Sequence, residues 1–271
     1  MKISVIVPLY YGKKYIQNIV NMMRRNQEKC IDVADLELIL VNDSPDEKIS
    51  EDEWKGQKDF DIKLVSNQKN QGIHYSRVYG LSYATGQYIM FFDQDDIIAD
   101  DYFVSQLKHM SKKCDVVVAN GSAQYATYSK CLYRFAFMQW TVKHIWFYAK
   151  FDCRIISPGQ CLIRKDSIPE IWKKNILKIN GADDYFLWLL LLTRKCKFDI
   201  NREKIYIHVY TTVNTSNDEN KMKQSVIEML SLVGKSISIK NQKRIGARIS
   251  RRNGIIDSIT KIVENMNRRN L

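Results

Sequence analysis

Apolar and polar positions follow two rhythms along the first 120 residues. Residues 3–9 form a nearly continuous run rich in Ile and Val, the pattern of a strand buried on both faces. Runs at 36–41, 62–65, 88–92 and 116–119 repeat it. Between them the apolar positions recur at helical spacing: Ile16, Ile19, Val20 and Met23; then Val78, Leu81 and Ala84 within 72–84; then Phe103, Leu107 and Met110, with Asp100 or Asp101 placed to cap that last helix. Strand and helix alternate across loops of a few residues. The expected fold class is therefore α/β, a mainly parallel sheet flanked by helices.

The second half is less regular. Residues 124–151 hold two Trp, four Tyr and four Phe. A turn at 157–160 leads into a strand at 161–164, Gly181-Ala182-Asp183-Asp184 opens an apolar helix over 185–192, and a strand over 205–210 contains His208. An amphipathic helix over 218–233 can stop at Gly234, giving a helical C-terminal appendage. The organisation expected is 1–120 for one ligand-binding part, 121–217 for a second part of the same domain, and 218–271 for C-terminal helices with a basic tail.

Charge sharpens the last of these. The chain has 271 residues and a formal charge of +12, yet residues 235–271 carry ten Lys and Arg against two acids. The body is nearly balanced and the tail is basic. The longest apolar run is eight residues, far short of the about 20 a spanning helix needs, and the N-terminal run is too short for a signal sequence. Six cysteines show no CxxC pair, so reduced thiols and a cytoplasmic location are expected.

In a parallel α/β sheet, ligands bind at the carboxyl ends of the strands. Here those ends carry Pro8-Leu9-Tyr10, Asn42-Asp43 and Asp93-Gln94-Asp95-Asp96. Three carboxylates within four residues raise one another's pKa unless a cation intervenes. A divalent metal held by oxygen resolves that cost, since Mg²⁺ and Mn²⁺ take one or two carboxylates plus substrate phosphates. The plainer reading of the same Asp residues is turn and cap chemistry.

The ordered set Ile3-Ser4-Val5-Ile6-Val7-Pro8-Leu9-Tyr10, Asn42-Asp43, Asn70-Gln71-Gly72 with Arg77, and Ala84-Thr85-Gly86 leading into Phe92-Asp93-Gln94-Asp95-Asp96 resembles the family 2 glycosyltransferases. These have the GT-A nucleotide-diphospho-sugar transferase fold. The resemblance is strong over 1–120 and looser through Asp183-Asp184 and 206–216. It implies that Pro8 and Tyr10 line the base and ribose pocket, that Asp43 accepts a hydrogen bond from the base, and that Asn70, Gly72, Arg77 and Gln94 help hold the donor. Asp93 and Asp95 match the family's D-x-D, with Asp95, Asp93 and His208 as candidate ligands of Mn²⁺ or Mg²⁺. Two positions depart from the family pattern: Asn42-Asp43-Ser44-Pro45 lacks its Gly, and Tyr11 replaces a frequent Asn.

Inverting transfer from a sugar nucleotide needs a cation for the leaving diphosphate and a carboxylate for the acceptor proton. Asp184 at the start of an apolar helix suits the base, because the helix N-terminus favours an anion while burial tunes its pKa. Asp183 is its rival and otherwise an N-cap. His208 reads equally as a satisfied, partly buried imidazole. The aromatic segment is either core and lid packing or an acceptor platform built on Trp140 and Trp146, while Trp172 and Trp188 read as core. Arg154 and Arg164 could meet phosphate. The resemblance favours a UDP-sugar donor and a hydroxyl of a lipid-linked glycan acceptor, as in capsule, O-antigen or other surface-polysaccharide synthesis.

Two other classes compete. A metal-dependent phosphohydrolase could use Asp93 as nucleophile and Asp95 as acid. A non-enzymatic basic protein could bind nucleic acid, but the tail lacks interleaved aromatics and no nucleic-acid motif is present. The tail sets Ile237, Ile239, Ile245, Ile249, Ile255, Ile256, Ile259 and Ile262 among Lys and Arg. That pattern suits either an anionic membrane surface or packing on the domain, with Gly246 and Gly254 expected to split it into short helices. Oligomeric state is not legible.

Overall fold

The computed structural model describes residues 1–211, 218–233 and 236–251. In chain order the elements are β1 (Lys2–Leu9), α1 (Ile16–Cys30), β2 (Asp35–Asn42), β3 (Asp61–Ser66), α2 (Ile73–Tyr83), β4 (Tyr88–Phe91), β5 (Ile97–Ile98), α3 (Tyr102–His109), β6 (Val116–Gln124), β7 (Ser129–Cys131), α4 (Ala136–Trp140), α5 (Ile145–Phe151), β8 (Cys161–Arg164), α6 (Glu170–Lys174), α7 (Asp183–Thr193), β9 (Phe198–Val209), α8 (Glu219–Val233) and α9 (Ile239–Arg251). One sheet runs β3-β2-β1-β4-β8-β6-β9-β5, with β7 beside β6.

The parallel expectation holds for β3, β2, β1 and β4 and again for β6 with β9. Strand β8 enters antiparallel between β4 and β6, and β5 and β7 also pair antiparallel, so the sheet is mixed. The core strands are apolar on both faces, as helices on either side require. Ile3, Val5, Ile6, Val7, Leu38, Ile39 and Leu40 are at most 1% exposed.

Several details depart from the sequence expectation. Asp100 does not cap α3 but pairs with Arg25 at 2.6 Å, and the N-cap residue Asp101 makes no side-chain cap bond. Strand β9 begins seven residues earlier than the pattern suggests, at Phe198. Helix α9 runs through Gly246 without a break. Its Ile245 and Ile249 are buried, Arg248 donates to the Tyr148 carbonyl at 3.0 Å and pairs with Asp152 at 3.0 Å, and the helix packs on α5 and α8. The described part of the tail therefore folds onto the domain. Gly234, Gly254 and the isoleucines at 255, 256, 259 and 262 lie outside the described residues. All six cysteines are free thiols. Among the described residues no helix is long and apolar enough to cross a membrane.

Candidate active site

The carboxyl ends of β1, β2 and β4 meet on one rim, and cross-links between loops fix its shape. Beyond β1, Pro8 is half-buried and Tyr10 is exposed. The Gln94 side chain grips Tyr10 from the β4 loop: its Oε1 accepts the Tyr10 N–H at 3.0 Å and its Nε2 donates to the Tyr10 carbonyl at 3.2 Å. The next residue, Tyr11, has φ +45°, a left-handed conformation that Asn tolerates better than a bulky ring. It is held there by its N–H to Ser44 Oγ at 3.0 Å and its hydroxyl to Asp46 at 2.9 Å. The Tyr for Asn departure is thus accommodated by Ser44, a residue of the altered loop after β2.

Asp43 is buried at the end of β2 and organises the segment before α2. Its Oδ1 accepts from Asn67 Nδ2 at 2.8 Å and the Gln71 N–H at 2.7 Å, and its Oδ2 accepts from the Gly72 N–H at 2.9 Å. Gly72 has φ +86°, and a Cβ there would lie 2.6 Å from Asn180 Oδ1, the atom that accepts the Ile73 N–H at 3.1 Å. Glycine is required at this turn on both counts. Asn70, on the same loop, is exposed.

Arg77 does not reach solvent. It is buried in α2 and joins two carboxylates from distant segments, Asp93 at 2.5 Å and Asp183 at 2.5 Å. Burial works against its charge, but Asp183 and Asp93 overcome that, and its pKa rises. Asp93 is spoken for on both oxygens, since Ser157 Oγ donates to its Oδ2 at 3.0 Å. Asp183 is the first residue of α7 and Ala182 its N-cap, so the capping role expected of Asp183 is replaced by an internal ion pair.

Asp184, one residue on, is half-buried and its Oδ1 accepts the Tyr185 N–H at 2.6 Å. Burial and then the neighbouring Asp183 push its pKa up to about 8, against the pull of Arg77. Asp95 has no side-chain partner in the described chain, and burial, Asp96 and Asp93 raise it to about 6. A carboxylate so placed gains from a cation.

Asp96 stands behind this pair. It is 1% exposed, and its Oδ1 faces His208 Nδ1 at 2.9 Å and accepts the Val209 N–H at 3.0 Å, while Tyr206 and Ser157 donate to Oδ2. Burial raises the Asp96 pKa; while ionised it only accepts, and the proton of a neutral His208 then sits on Nδ1 with the Nε2 lone pair turned away from Asp96. Burial lowers the His208 pKa, but Asp96, Asp93 and Asp95 outweigh it and the net direction is up.

Among the described residues, no group of three or more His, Cys, Asp and Glu is arranged to hold a metal by itself. The donors Asp95 and His208 fit a divalent ion whose remaining ligands are substrate oxygens, the manner in which Mg²⁺ and Mn²⁺ are commonly bound.

The remaining candidates lie elsewhere. Trp140 and Trp146 are each 42% exposed and belong to an aromatic cluster on α4 and α5, none of whose ring partners is a rim residue. Arg164 donates to the carbonyls of Ser111 and Cys114, and Arg154 Nε to Thr141 Oγ1. Trp172 and Trp188 are core. The candidates singled out from the sequence do not include Asn67, Ser157 or Tyr206, whose signal is only a polar or aromatic residue in a turn or strand.

The model of the glycosyl transferase family 2 matches residues 4–172. The chain belongs to glycosyl transferase family 2. The minor teichoic acid biosynthesis protein GgaB of Bacillus subtilis is 35% identical over 109 residues, which are 38% of this chain and 11% of that protein. The chain spans 32% to 37% of the length of four other curated relatives. Among solved structures, S. aureus TarS 1–349 with UDP-GlcNAc matches 94% of the chain and 73% of its own, at TM-score 0.64 and 15% identity. The mannosyltransferase PcManGT of Pyrobaculum calidifontis, with GDP-Man and Mn²⁺, matches 97% and 73% at TM-score 0.64 and 12% identity. At these identities the likeness is one of fold, and it establishes the GT-A architecture for this family 2 glycosyltransferase.

Proposed function

We propose that this chain moves a sugar, with inversion, from a nucleotide-diphospho-sugar to a hydroxyl of a glycan acceptor. The observation that carries the reading is the Arg77 bridge. It ties Asp93, in the D-x-D loop, to Asp183, beside Asp184, so that a carboxylate suited to a metal and one suited to a base share one rim.

In this reading Pro8, Tyr10, Asp43, Asn70 and Gly72 receive the nucleoside, and Arg77 and Gln94 position the loops that meet the diphosphate. Asp95 and His208, with Asp93 behind them, would hold Mn²⁺ or Mg²⁺. When bound, that ion supplies charge neutralisation for the departing nucleoside diphosphate. Asp96 holds His208 in the tautomer a ligand needs. Asp184 takes the acceptor proton, and attack from the face opposite the leaving group gives inversion. The donors held by TarS and PcManGT, UDP-GlcNAc and GDP-Man, support the donor class, and UDP is our reading of the base.

Residues 1–120 then hold the donor, 121–217 the acceptor and base, and 218–271 the C-terminal helices. The match to GgaB, a minor teichoic acid biosynthesis protein, supports a surface polymer as acceptor, and a lipid-linked glycan is our reading of it. The location in this reading is the inner face of the cell membrane. Nucleic acid has no part in it. The phosphohydrolase reading needs Asp93 as a free nucleophile, and both its oxygens are engaged. A panel of sugar nucleotides with Mn²⁺, read by thermal shift, tests the proposal, because a ligand of the folded state raises Tm by mass action. One UDP- or GDP-sugar should do so in the wild type and not in Asp95→Ala. No shift from any of them would overturn it.

A further inference from the structure

Helices α4 and α5 carry an apolar surface that the reaction does not use. Phe135, Phe137, Trp140, Trp146 and Phe151 are 61%, 63%, 42%, 42% and 51% exposed. Phe137, Trp140, Trp146 and Phe151 form one patch, because Phe147 touches each of them with ring centroids 4.9 to 6.1 Å apart, and Phe135 is the N-cap of the helix that carries Phe137 and Trp140. A contiguous exposed aromatic patch on a small protein marks an interaction site.

Charge decides what it meets. Residues 116–151 contain no Asp or Glu, and contain Lys130, Arg134, Lys143 and Lys150. Arg134, which lies over the Phe135 ring, and Lys150, next to Phe151 in the chain, are exposed, as is Lys130 on β7. Helix α9 packs on α5 and turns Lys240 and Lys243 outward. A sugar-binding platform needs acceptors beside its rings for the hydroxyls, and the carboxylates next to this segment, Asp152 and Asp199, are engaged by Arg248 and Lys143 at 3.0 and 3.1 Å. Exposed Trp and Phe rimmed by Lys and Arg suit the interface of a membrane with anionic headgroups. Ile237, Ile245 and Ile249 cannot supply the apolar contact, since they are buried against the domain, and Ile239 at the start of α9 is exposed.

We propose that the α4–α5 aromatic patch docks on an anionic lipid surface, with the basic residues around it contacting the headgroups. Arg248 and Tyr185, from α9 and α7, both bond to the Tyr148 carbonyl of α5, at 3.0 and 2.8 Å. The lipid-facing helix is thereby tied to the helix that carries Asp184. Docking would hold the rim at a fixed height above the bilayer.

The test is flotation of the full chain with vesicles of equal parts phosphatidylglycerol and phosphatidylcholine, against phosphatidylcholine alone. The wild type should float with the anionic vesicles and not with the neutral ones. The variant Phe135→Ser/Phe137→Ser/Phe151→Ser should lose about tenfold or more in vesicle affinity while keeping its unfolding transition. A chain ending at Arg251 should retain most of the binding. A second measurement needs no loss-of-binding variant: lipids brominated near the glycerol should quench the tryptophan fluorescence of the wild type, and Trp140→Phe/Trp146→Phe should abolish that quenching. The proposal is overturned by equal binding to both vesicle types, by a triple variant that binds like the wild type, or by loss of binding on truncation alone. A wild-type dimer that the triple variant converts to a monomer, with vesicle binding unchanged, would also overturn it and assign the patch to a second copy of the chain.

Discussion

Arg77 and Asp183 stand 106 positions apart in sequence and meet at 2.5 Å in the interior. Asp93 completes the bridge on the other guanidinium nitrogen, also at 2.5 Å. Both partners of the Arg77–Asp183 pair are almost fully buried, with side chains 4% exposed. Breaking such a pair on one side leaves a buried charge without compensation. Arg77→Met should therefore destabilise the fold by about 3–5 kcal/mol, read as a lowered urea midpoint at unchanged m-value. A loss under 1 kcal/mol, on the scale of a surface ion pair, would show that the bridge does not hold the rim together.

Asp184 gives a pH prediction. Its pKa is pushed up to about 8, so the base form dominates only above that pH. The value of kcat/KM should rise with pH on an acid limb near 8 and fall about tenfold per unit below it. Because the Asp183 charge raises Asp184, Asp183→Asn should move that limb to lower pH. A profile flat from pH 6 to 9 would remove Asp184 from the role.

Glu37 governs stability at the opposite end of the sheet. It is buried and accepts from Ser4, from Thr85 N at 2.6 Å, from Thr85 Oγ1 at 2.7 Å and from Gly86 N at 3.1 Å, with Lys2 Nζ at 3.0 Å. Burial alone would raise its pKa, but the bonds from Ser4 and Thr85 outweigh it and lower it from 4.5 to about 2. A depressed carboxylate stabilises the fold above its unfolded pKa. That contribution, about 3 kcal/mol, is lost as the pH falls from about 4.5 to about 2. Glu37→Gln should flatten the acid limb of the stability curve, measured by denaturant midpoints at several pH values.

The His208–Asp96 pair predicts metal behaviour. Asp96→Asn keeps the shape but removes the carboxylate that fixes the imidazole, and metal affinity should fall about 10- to 100-fold. Titration of Mn²⁺ in the presence of nucleoside diphosphate reads this directly. Wild-type affinity in the variant would free His208 from the assignment.

Much of this was legible in the sequence, for physical reasons. The β1, β2 and β4 runs are apolar on both faces, so periodicity found them and placed Pro8, Asp43 and the 93–96 cluster at their ends. The rest depends on long-range contacts. Nothing local marks Arg77 as the partner of Asp183. The three aspartates of the cluster look alike until the turn aims Asp93 at Arg77 and Asp96 at His208, and leaves Asp95 with no side-chain partner among the described residues. The first half of β9 is polar, with Asp199, Asn201, Arg202, Glu203 and Lys204. It is held as a strand by parallel pairing with β6 and by buried Asn201, whose amide donates to Ser105 and Gln106. Gly246 is tolerated inside α9, at a cost of about 1 kcal/mol, because the buried face of that helix packs on the domain.

The central claim is tested most directly by following the anomeric configuration and rate of sugar transfer with Mn²⁺, using the donor that binds, in wild type and Asp184→Asn. The account predicts a product of inverted configuration and a loss of at least about 100-fold in kcat, with donor binding retained. Retention of configuration, or full turnover by Asp184→Asn, would contradict it.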